Sequence, residues 1–391
     1  MRRSLAVAVI PLAVAETLVW AAFYYSFPAF LPAWEADLGW SRAELSGAFT
    51  AALVLTGLLA PQAGRIVDRG AGRGMFLGAI VAGALLVAVL AAVRELWQFW
   101  AIWLALGLVN AACLYEATFA IITTTVGPAA RRAITLVTLV AGFAGSVAFP
   151  AAWALGEALG WRGALLVFSG VSLLVALPLA WLGLRLLGTH AEDAATRPKP
   201  TGREGRDALR KPAFWFIAFG FATVGLTHSM IITHIRPIME SRGVAEAVGV
   251  MVASLVGPMQ VLGRVVMVSV QARVGIHGAT VGCFAGMAAG AVALLFATGS
   301  PVLAIGFVVP YGAAYGVASI VRPVVTAELL GRAGFGTISG MLALVYMLAV
   351  AAGPSIAAVL WQAGGYDLVI GLGIALLLAG LVAVRLARRR A

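Results

Sequence analysis

The clearest shortage in this sequence is of charged residues. Asp, Glu, Lys and Arg make up only 11% of the 391 residues, whereas 62% are hydrophobic and the mean hydropathy is +1.00. A soluble globular chain carries about 25% charged residues. The apolar residues form uninterrupted blocks of about 20 residues or more, which a bilayer accommodates as helices with every backbone hydrogen bond satisfied. The composition therefore predicts an all-α membrane protein.

Cysteine and histidine are also scarce. Cys113 and Cys283 both lie in apolar blocks, and two isolated cysteines give neither a disulfide framework nor a metal-ligand spacing. His228 and His234 stand on different faces of one predicted helix, and no cysteine or acid joins them. We therefore expect no metal and no cofactor. Without a nucleophile–base pair or clustered His and Asp residues, we also expect no enzymatic activity.

The net charge of +11 would fit a nucleic-acid partner. The basic residues, however, lie in short segments between apolar blocks rather than along one face. We therefore expect the lipid bilayer and a small molecule as partners, and no nucleic acid.

The apolar blocks predict twelve membrane-spanning helices. They are placed at about 5–32, 42–65, 74–93, 96–126, 132–157, 162–187, 212–239, 245–271, 275–297, 301–329, 335–362 and 367–386. Glycine and proline inside several blocks are tolerated in membrane helices, because neighbouring groups satisfy the freed backbone.

The basic residues are unequally divided between the two sides of this arrangement. With a cytoplasmic N-terminus, 20 basic residues fall in cytoplasmic segments and 5 in outside loops. The positive-inside rule then places both termini in the cytoplasm. The start of the chain is similar to a cleavable signal peptide, but its apolar run continues past Glu16 to about Ala33, so we expect it to be retained.

One polar segment, 188–211, is rich in both charge signs and predicts a cytoplasmic linker. It separates residues 1–187 from residues 212–391, each with six predicted helices. With a shift of 204 residues, the halves align at several places: Pro150 with Pro354, Gly160 with Gly364 and Arg69 with Arg273. This predicts two pseudo-symmetric six-helix bundles.

The hinge after the second span reads Gly64-Arg-Ile-Val-Asp68-Arg69-Gly70-Ala71-Gly72-Arg73. It resembles the signature loop of the major facilitator superfamily, G-x-x-x-D-R followed by glycine and basic residues. The second half keeps Arg273 but has Ala272 in place of the acid. The resemblance covers the whole chain and implies the major facilitator fold and a transport function.

A carboxylate and guanidinium at this helix end can pair with a neighbouring helix terminus and lock one conformation. The hinge residues are therefore candidates for a conformational switch: Gly64, Asp68, Arg69, Arg73 and Arg273. The alternative is a loop whose charges only set topology.

Two further segments narrow the resemblance. Tyr25-Ser-Phe-Pro28 and Leu38-Gly-Trp40-Ser-Arg-Ala-Glu-Leu45 are similar to the monocarboxylate-carrier and oxalate/formate-antiporter branches. Those branches carry an arginine in the eighth helix that binds the substrate carboxylate, and Arg264 occupies the matching place. The aspartate that commonly stands four residues earlier is Gln260 here, and the first-helix signature of the monocarboxylate carriers is missing.

Four ionisable residues lie deep in the predicted spans: Glu16, Glu116, Arg264 and Arg322. Such charges are costly in a bilayer and are candidates for function. Arg264 shares a helix face with Gln260, and a guanidinium can hold a carboxylate with two hydrogen bonds. The alternative is a structural ion pair of Arg264 with one of the two glutamates.

Arg322 shares one helical face with Tyr311, Tyr315 and Ser319. The resemblance implies that the first, fourth, seventh and tenth helices line a cavity, so this face is a candidate binding wall. Alternatively, Arg322 belongs to a gate, in which it would meet Glu116.

Glu16 shares a face with Trp20 and Tyr24. A carboxyl group removed from water favours its neutral form, which suits proton coupling through Glu16 or Glu116. A structural, hydrogen-bonded glutamate is the alternative. His228 aligns with Tyr24 under the shift, and we expect both to face the cavity, with Asn110 and Gln260 as neutral hydrogen-bonding groups.

These observations predict a monomeric secondary transporter in a bacterial-type inner membrane. It would move a small, monocarboxylate-like organic anion with protons by rocker-switch alternating access. The alternative is a proton-coupled exporter of amphipathic, drug-like compounds, with a pocket dominated by Trp20, Phe23, Phe27 and Tyr315. A receptor or scaffold of similar fold would not need four buried charges.

Overall fold

The computed structural model describes residues 5–191 and 202–390, and in these ranges the chain is helical and contains no strand. Residues 1–4, with the predicted cytoplasmic Arg2 and Arg3, lie outside the described residues. So does 192–201, the middle of the predicted linker.

Fifteen α-helices are present in the described ranges. They are α1 Leu5–Trp20, α2 Ser26–Leu38, α3 Arg42–Asp68, α4 Gly72–Leu90, α5 Leu96–Cys113, α6 Tyr115–Val126, α7 Ala130–Ala141, α8 Ala144–Val171, α9 Leu177–Gly188, α10 Glu204–Arg210, α11 Pro212–Thr233, α12 Ile235–Ser241, α13 Glu246–Leu295, α14 Pro301–Leu330 and α15 Phe335–Arg390. Short π-helical segments connect α1 to α2 (Ala21–Tyr25) and α8 to α9 (Ser172–Ala176), and a 3₁₀ turn precedes α7.

Three of the longest helices leave helical geometry at glycines. The breaks are at Gly160 (φ 69°) in α8, Gly275 (φ 68°) in α13, and Gly364 and Gly365 (φ 69° at the latter) in α15. Glycine adopts positive φ without the steric cost of a Cβ atom. Each break falls at or beside a predicted boundary between two spans.

Nine helical stretches within the described residues are long and apolar enough to cross a membrane. The longest, Leu96–Gly188, has 93 residues, several times the roughly 20 that one crossing needs. The predicted fold class, an all-α membrane protein, is therefore confirmed. The number of twelve crossings stays a prediction, with which the glycine breaks agree.

The first compact unit comprises Met1–Glu204 and Arg332–Leu344. In it, α1 packs against α7 and α9, and α3 packs against α5. A Cβ atom at Gly107 would collide with the backbone of Ala52, and one at Gly183 would collide with Leu12. Glycine thus permits close helix contacts, which membrane helices need because apolar burial does not drive their association.

The second compact unit comprises Gly205–Gly331 and Val345–Ala391. Its main contact runs between α13 and α14. A Cβ atom at Gly316 would lie 2.1 Å from the carbonyl oxygen of Gln260, and one at Gly263 would lie 2.0 Å from that of Ala313. These two contacts bring the α13 segment around Arg264 directly against α14. The predicted division at residues 187 and 212 stays a prediction.

Candidate functional site

The first span contains a π-helical segment, Ala21–Tyr25, next to its most polar residues. Pro28 has no N–H group to donate to the carbonyl of Tyr24, so the regular ladder is interrupted there. A π-segment adds one residue to a turn and shifts the register of the next turns of the helix. As a result, both Tyr24 and Tyr25 contact the ring of Trp20, at centroid distances of 5.0 and 6.3 Å.

Glu16 lies one turn before this segment and is completely buried. Its Oε1 accepts a hydrogen bond from the hydroxyl of Thr118 in α6. Its Oε2 is buried and has no hydrogen-bond partner within the described ranges.

The fourth predicted span is interrupted between α5 and α6. Leu114 is extended (φ −93°, ψ −170°), and α6 begins at Tyr115, which puts Glu116 in the first turn of a helix. A negative charge is stabilised at a helix N-terminus. Broken helices at membrane depth occur where the backbone is buried in protein or lines a cavity. No glycine or proline marks this break, so the sequence pattern does not predict it.

Polar and aromatic side chains surround the break. Asn110, one turn before it, is buried and donates to the carbonyl of Phe23 at 3.4 Å. The carboxylate of Glu116 accepts a hydrogen bond from Ser339 at 3.2 Å. Tyr115 packs its ring 4.7 Å from that of Trp20. Glu16, Trp20, Asn110 and Glu116 are thus positioned by one group of helices, α1, α5 and α6, in the first unit.

Phe27, which follows the π-helical segment, packs into the interior of the first unit. Its ring stacks on Phe49 with centroids 4.3 Å apart and contacts Trp103 at 5.1 Å, in the aromatic core between α2, α3 and α5. Phe23 is fully buried as well. Two of the four aromatic residues predicted for the alternative pocket therefore belong to the packed interior of the unit.

The predicted switch residue Asp68 caps the start of α15. Its Oδ1 accepts a hydrogen bond from the backbone N–H of Gly336 at 2.9 Å. Its Oδ2 accepts two from Thr337, one from the N–H at 2.8 Å and one from the hydroxyl at 2.7 Å. A carboxylate at this place satisfies N–H groups that lack a partner in the helix and meets the positive end of the helix dipole.

Gly64 allows this contact. A Cβ atom at Gly64 would collide with the backbone of Gly336, so only glycine lets α3 and the start of α15 approach so closely. The side chain of Arg73 lies against Gly188, the last residue of α9. The side chains of Arg69 and Arg273 are exposed. Within the first unit, Gly64 and Asp68 therefore both contact the start of α15, whereas Arg73 contacts the end of α9.

In the second unit, His228 lies flat against Tyr315. The ring centroids are 3.4 Å apart and the planes differ by 7°, and Tyr311 is nearly parallel to His228 at 5.9 Å. The Nδ1 atom of His228 and the hydroxyl of Tyr311 are buried without a partner within the described ranges. This is a helix-to-helix contact of α11 with α14.

Tyr346 in α15 extends the same cluster. Its hydroxyl is hydrogen-bonded to that of Tyr315 at 2.9 Å. The guanidinium of Arg322 lies over its ring, 4.5 Å from the centroid. A cation over an aromatic face is attracted by the ring quadrupole. The predicted face of Tyr311, Tyr315 and Arg322 is therefore joined by His228 and Tyr346.

Arg264 lies on α13, in the same unit. Its side chain is only 7% exposed, and its Nε donates to the carbonyl of Gly316 at 3.1 Å. Ser319 donates to the same carbonyl at 2.8 Å. Among the described residues no acidic side chain pairs with Arg264 and no other hydrogen bond reaches it. Gln260 lies one turn earlier, partly buried and against Gly316.

Sequence reasoning missed the uncharged partners of the charged residues: Thr118, Thr337, Ser339 and Tyr346. Each is a hydroxyl-bearing residue within an apolar block, and this is the only sequence feature that could have identified it as a partner. Serine, threonine and tyrosine are common in membrane helices, so this signal does not single out a partner for Glu16 or Asp68.

Three comparisons with known proteins bear on this arrangement. The family model described as "Major Facilitator Superfamily" matches residues 12–354. Among curated proteins, none matches the sequence.

Solved structures resemble the chain over nearly its whole length. FucP, a Major Facilitator Superfamily transporter in the outward conformation, is 13% identical with a TM-score of 0.77, covering 98% of this chain and 99% of that one. The proton:xylose symporter XylE is 14% identical with a TM-score of 0.76, covering 100% and 96%. A bacterial homologue of the iron transporter ferroportin is 17% identical with a TM-score of 0.73, covering 98% and 100%. At these identities the likeness establishes the fold.

Proposed function

Because the chain belongs to the Major Facilitator Superfamily, we propose that it is a secondary active transporter of a small, monocarboxylate-like organic anion. Transport is coupled to protons and proceeds by rocker-switch alternating access. The observation that carries the proposal is Arg264, a buried guanidinium that makes one hydrogen bond among the described residues, to the carbonyl of Gly316.

A buried arginine is normally paired, because an uncompensated charge in an apolar environment is costly. The Nε atom of Arg264 is fixed by α14, so the side chain is held in place before any ligand arrives. Its terminal amino groups form no hydrogen bond within the described ranges and can hold a carboxylate with two parallel bonds. A bound anion would supply the missing charge.

Other residues of the second unit favour an organic rather than an inorganic anion. Tyr311, Tyr315 and His228 present ring surface in the same unit, and Ser319 and Gln260 provide neutral polar groups. A carboxylate with a short apolar body has one end for the guanidinium and one for the rings. Arg322, held over Tyr346, is a second cation for a substrate with another polar group.

Proton coupling is assigned to Glu16, with Glu116 as the second carboxyl. Glu16 is buried beside a hydroxyl donor and has an oxygen without a partner among the described residues. It is therefore well placed to take up and release one proton. Moving a proton with the anion cancels charge that would otherwise cross the low-dielectric part of the membrane.

The finer parts of the proposal rest on the sequence. They are membership of the monocarboxylate-carrier and oxalate/formate-antiporter branches, a bacterial inner membrane, cytoplasmic termini and a monomeric state. Arg264 in the place of the branch's substrate-binding arginine and the unequal distribution of basic residues support them.

The experiment is uptake of a panel of radiolabelled mono- and dicarboxylates into proteoliposomes, with and without an inward-acid pH gradient. Wild type is compared with Arg264→Gln and with Arg94→Gln, a matched loss of one exposed arginine in the loop after α4. We expect gradient-stimulated uptake of at least one carboxylate, lost in Arg264→Gln and retained in Arg94→Gln. No uptake of any carboxylate by a well-folded wild type would overturn the organic-anion proposal.

One observation favours a second function, the export of amphipathic compounds in exchange for protons. Trp20, Tyr24, Tyr25 and Tyr115 form an aromatic cluster in the first unit, and the indole N–H of Trp20 is buried without a partner in the described ranges. Such a surface suits a hydrophobic ligand that accepts one hydrogen bond. In this case Trp20→Ala would abolish transport and Arg264→Gln would change little.

A further inference from the structure

A cavity lies in the second unit at the end of α15, and none of its lining residues belongs to the candidate site described above. Its volume is about 240 Å³ and its walls come from two elements. One wall is the part of α13 that comes after the break at Gly275, with His277, Thr280 and Val281. The other is the last part of α15, with Leu381, Val384, Arg385 and Arg388.

Arg385 and Arg388 are the charged groups that α15 places in this cavity. They stand three residues apart, which puts them on one face of the helix. No acidic side chain among the described residues pairs with either guanidinium. The lining residue His277 is hydrogen-bonded through Nε2 to the carboxylate of Glu328 at 3.1 Å. The two arginines therefore give the cavity an uncompensated positive charge.

The remainder of the lining is largely apolar. Val281, Leu381 and Val384 form that part, and the hydroxyl of Thr280 is already donated to the carbonyl of Ile276 at 2.8 Å. A ligand that matches this lining has an anionic group, which the arginines can bind, and an adjacent hydrocarbon part, which the apolar side chains can contact. A free inorganic anion would contact the arginines but not the apolar residues.

The depth of the arginines agrees with such a ligand. They come after an uninterrupted apolar run from Leu368 to Val384. At 1.5 Å per residue this run is about 25 Å long, close to the hydrocarbon thickness of a bilayer of about 30 Å. Arg385 thus stands where the hydrocarbon ends and the phosphate groups of lipids begin. Basic pockets between membrane helices at this level are suited to anionic head groups.

We propose that this cavity binds the phosphate group of an anionic glycerophospholipid. Arg385 and Arg388 hold the phosphate by charge-assisted hydrogen bonds, and Val281, Leu381 and Val384 contact the glycerol and the start of an acyl chain. The site is separate from the proposed transport function and needs no turnover to be occupied.

The test measures lipid binding to the purified full chain in neutral detergent, by native mass spectrometry. Phosphatidylglycerol is titrated against phosphatidylcholine with the same acyl chains, which has the same phosphate but no net charge. The variant is Arg385→Gln/Arg388→Gln. The matched control is Arg389→Gln/Arg390→Gln, which removes the same charge from the same turn but from side chains that do not line the cavity.

We expect one molecule of phosphatidylglycerol to bind wild type and the control about equally. The cavity variant should bind it about tenfold or more weakly, since each arginine near a membrane surface contributes to anionic-lipid affinity. Arg385→Lys/Arg388→Lys keeps both charges and should retain most of the binding, which separates loss of the site from loss of folding.

Two results would overturn the proposal. One is an equal loss of phosphatidylglycerol in both glutamine variants, or equal binding of phosphatidylcholine, which would indicate unspecific attraction to the tail. The other comes from thermal denaturation with about 10 mM inorganic phosphate, a concentration chosen to saturate weak anion contacts. If phosphate alone stabilises wild type as much as the lipid does, and does so through Arg385 and Arg388, the ligand is a free anion and not a lipid.

Discussion

Thr337 donates two hydrogen bonds to a single carboxylate oxygen of Asp68, one from its backbone N–H at 2.8 Å and one from its hydroxyl at 2.7 Å. With the bond from Gly336 to the other oxygen, the carboxylate closes the first turn of α15. The hinge that resembles a family signature thus has a concrete partner within the first unit.

The first prediction concerns this cap. Asp68→Ala removes three hydrogen bonds to a charged acceptor and leaves N–H groups of α15 without a partner. We expect the free energy of unfolding to fall by roughly 1–3 kcal/mol, the range for such groups. Thr337→Val removes only the hydroxyl bond and should cost less. Thermal denaturation in detergent measures both.

Asp207→Ala is the control for this experiment, because Asp207 is an exposed acid of α10. It should leave the melting temperature unchanged. If Asp68→Ala and Asp207→Ala have the same melting temperature, the cap contributes nothing to stability. The switch hypothesis would then lose its physical basis.

The second prediction concerns Glu16. Glu16→Gln keeps the size of the side chain and an oxygen for Thr118 but cannot exchange a proton. We expect accumulation driven by a pH gradient to be lost, whereas exchange of labelled for unlabelled substrate without a gradient continues. Proteoliposome assays of both kinds distinguish the two. Glu157→Gln, an exposed glutamate of α8, should behave as wild type. Loss of exchange as well as accumulation would assign Glu16 a structural role instead.

The third prediction uses two glycines of α14. Gly316→Ala would place a Cβ atom 2.1 Å from the carbonyl oxygen of Gln260, so α13 and α14 must separate. The acceptor of Arg264 would move with them, and we expect lower thermal stability and weaker substrate binding.

Gly306→Ala is the matched control, since nothing lies within 4 Å of its Cβ position. It should be neutral or slightly stabilising, because alanine favours a helix. Equal melting temperatures for the two variants would contradict the close contact.

The fourth prediction concerns the hydroxyl pair of Tyr315 and Tyr346. Tyr346→Phe removes the hydrogen bond of 2.9 Å but leaves the ring beneath Arg322. We expect KM to rise several-fold, in keeping with a neutral hydrogen bond of about 1 kcal/mol, with kcat nearly unchanged. Tyr346→Ala, which also removes the ring, should have the larger effect. Tyr366→Phe removes a tyrosine hydroxyl elsewhere in α15, where it meets His234 at 3.3 Å, and should not change KM. A KM in Tyr346→Phe equal to that of wild type would exclude this pair from the binding site.

The sequence determined the solvent and the fold class of this protein. Long apolar blocks can satisfy their backbone groups only as helices in a membrane, so the all-α architecture follows from composition and pattern. Local chemistry also determined where helices break: Gly160, Gly275 and Gly364 lie at or beside predicted boundaries because glycine and neighbouring polar groups punctuate the apolar runs. The buried charges Glu16, Glu116, Arg264 and Arg322 can be found from the sequence because a charge in an apolar block is rare and expensive.

The partners of those charges were decided only by the tertiary structure. Thr118 faces Glu16 across 102 positions, and Thr337 faces Asp68 across 269, and no local periodicity encodes a contact at that separation. The sequence pattern likewise did not predict the break at Leu114, because no glycine or proline marks it. A hydroxyl group in a membrane helix can donate a hydrogen bond to its own backbone or to a group on a neighbouring helix. Which hydroxyl contacts a carboxylate therefore depends on how the helices pack. No local pattern in the sequence specifies that packing.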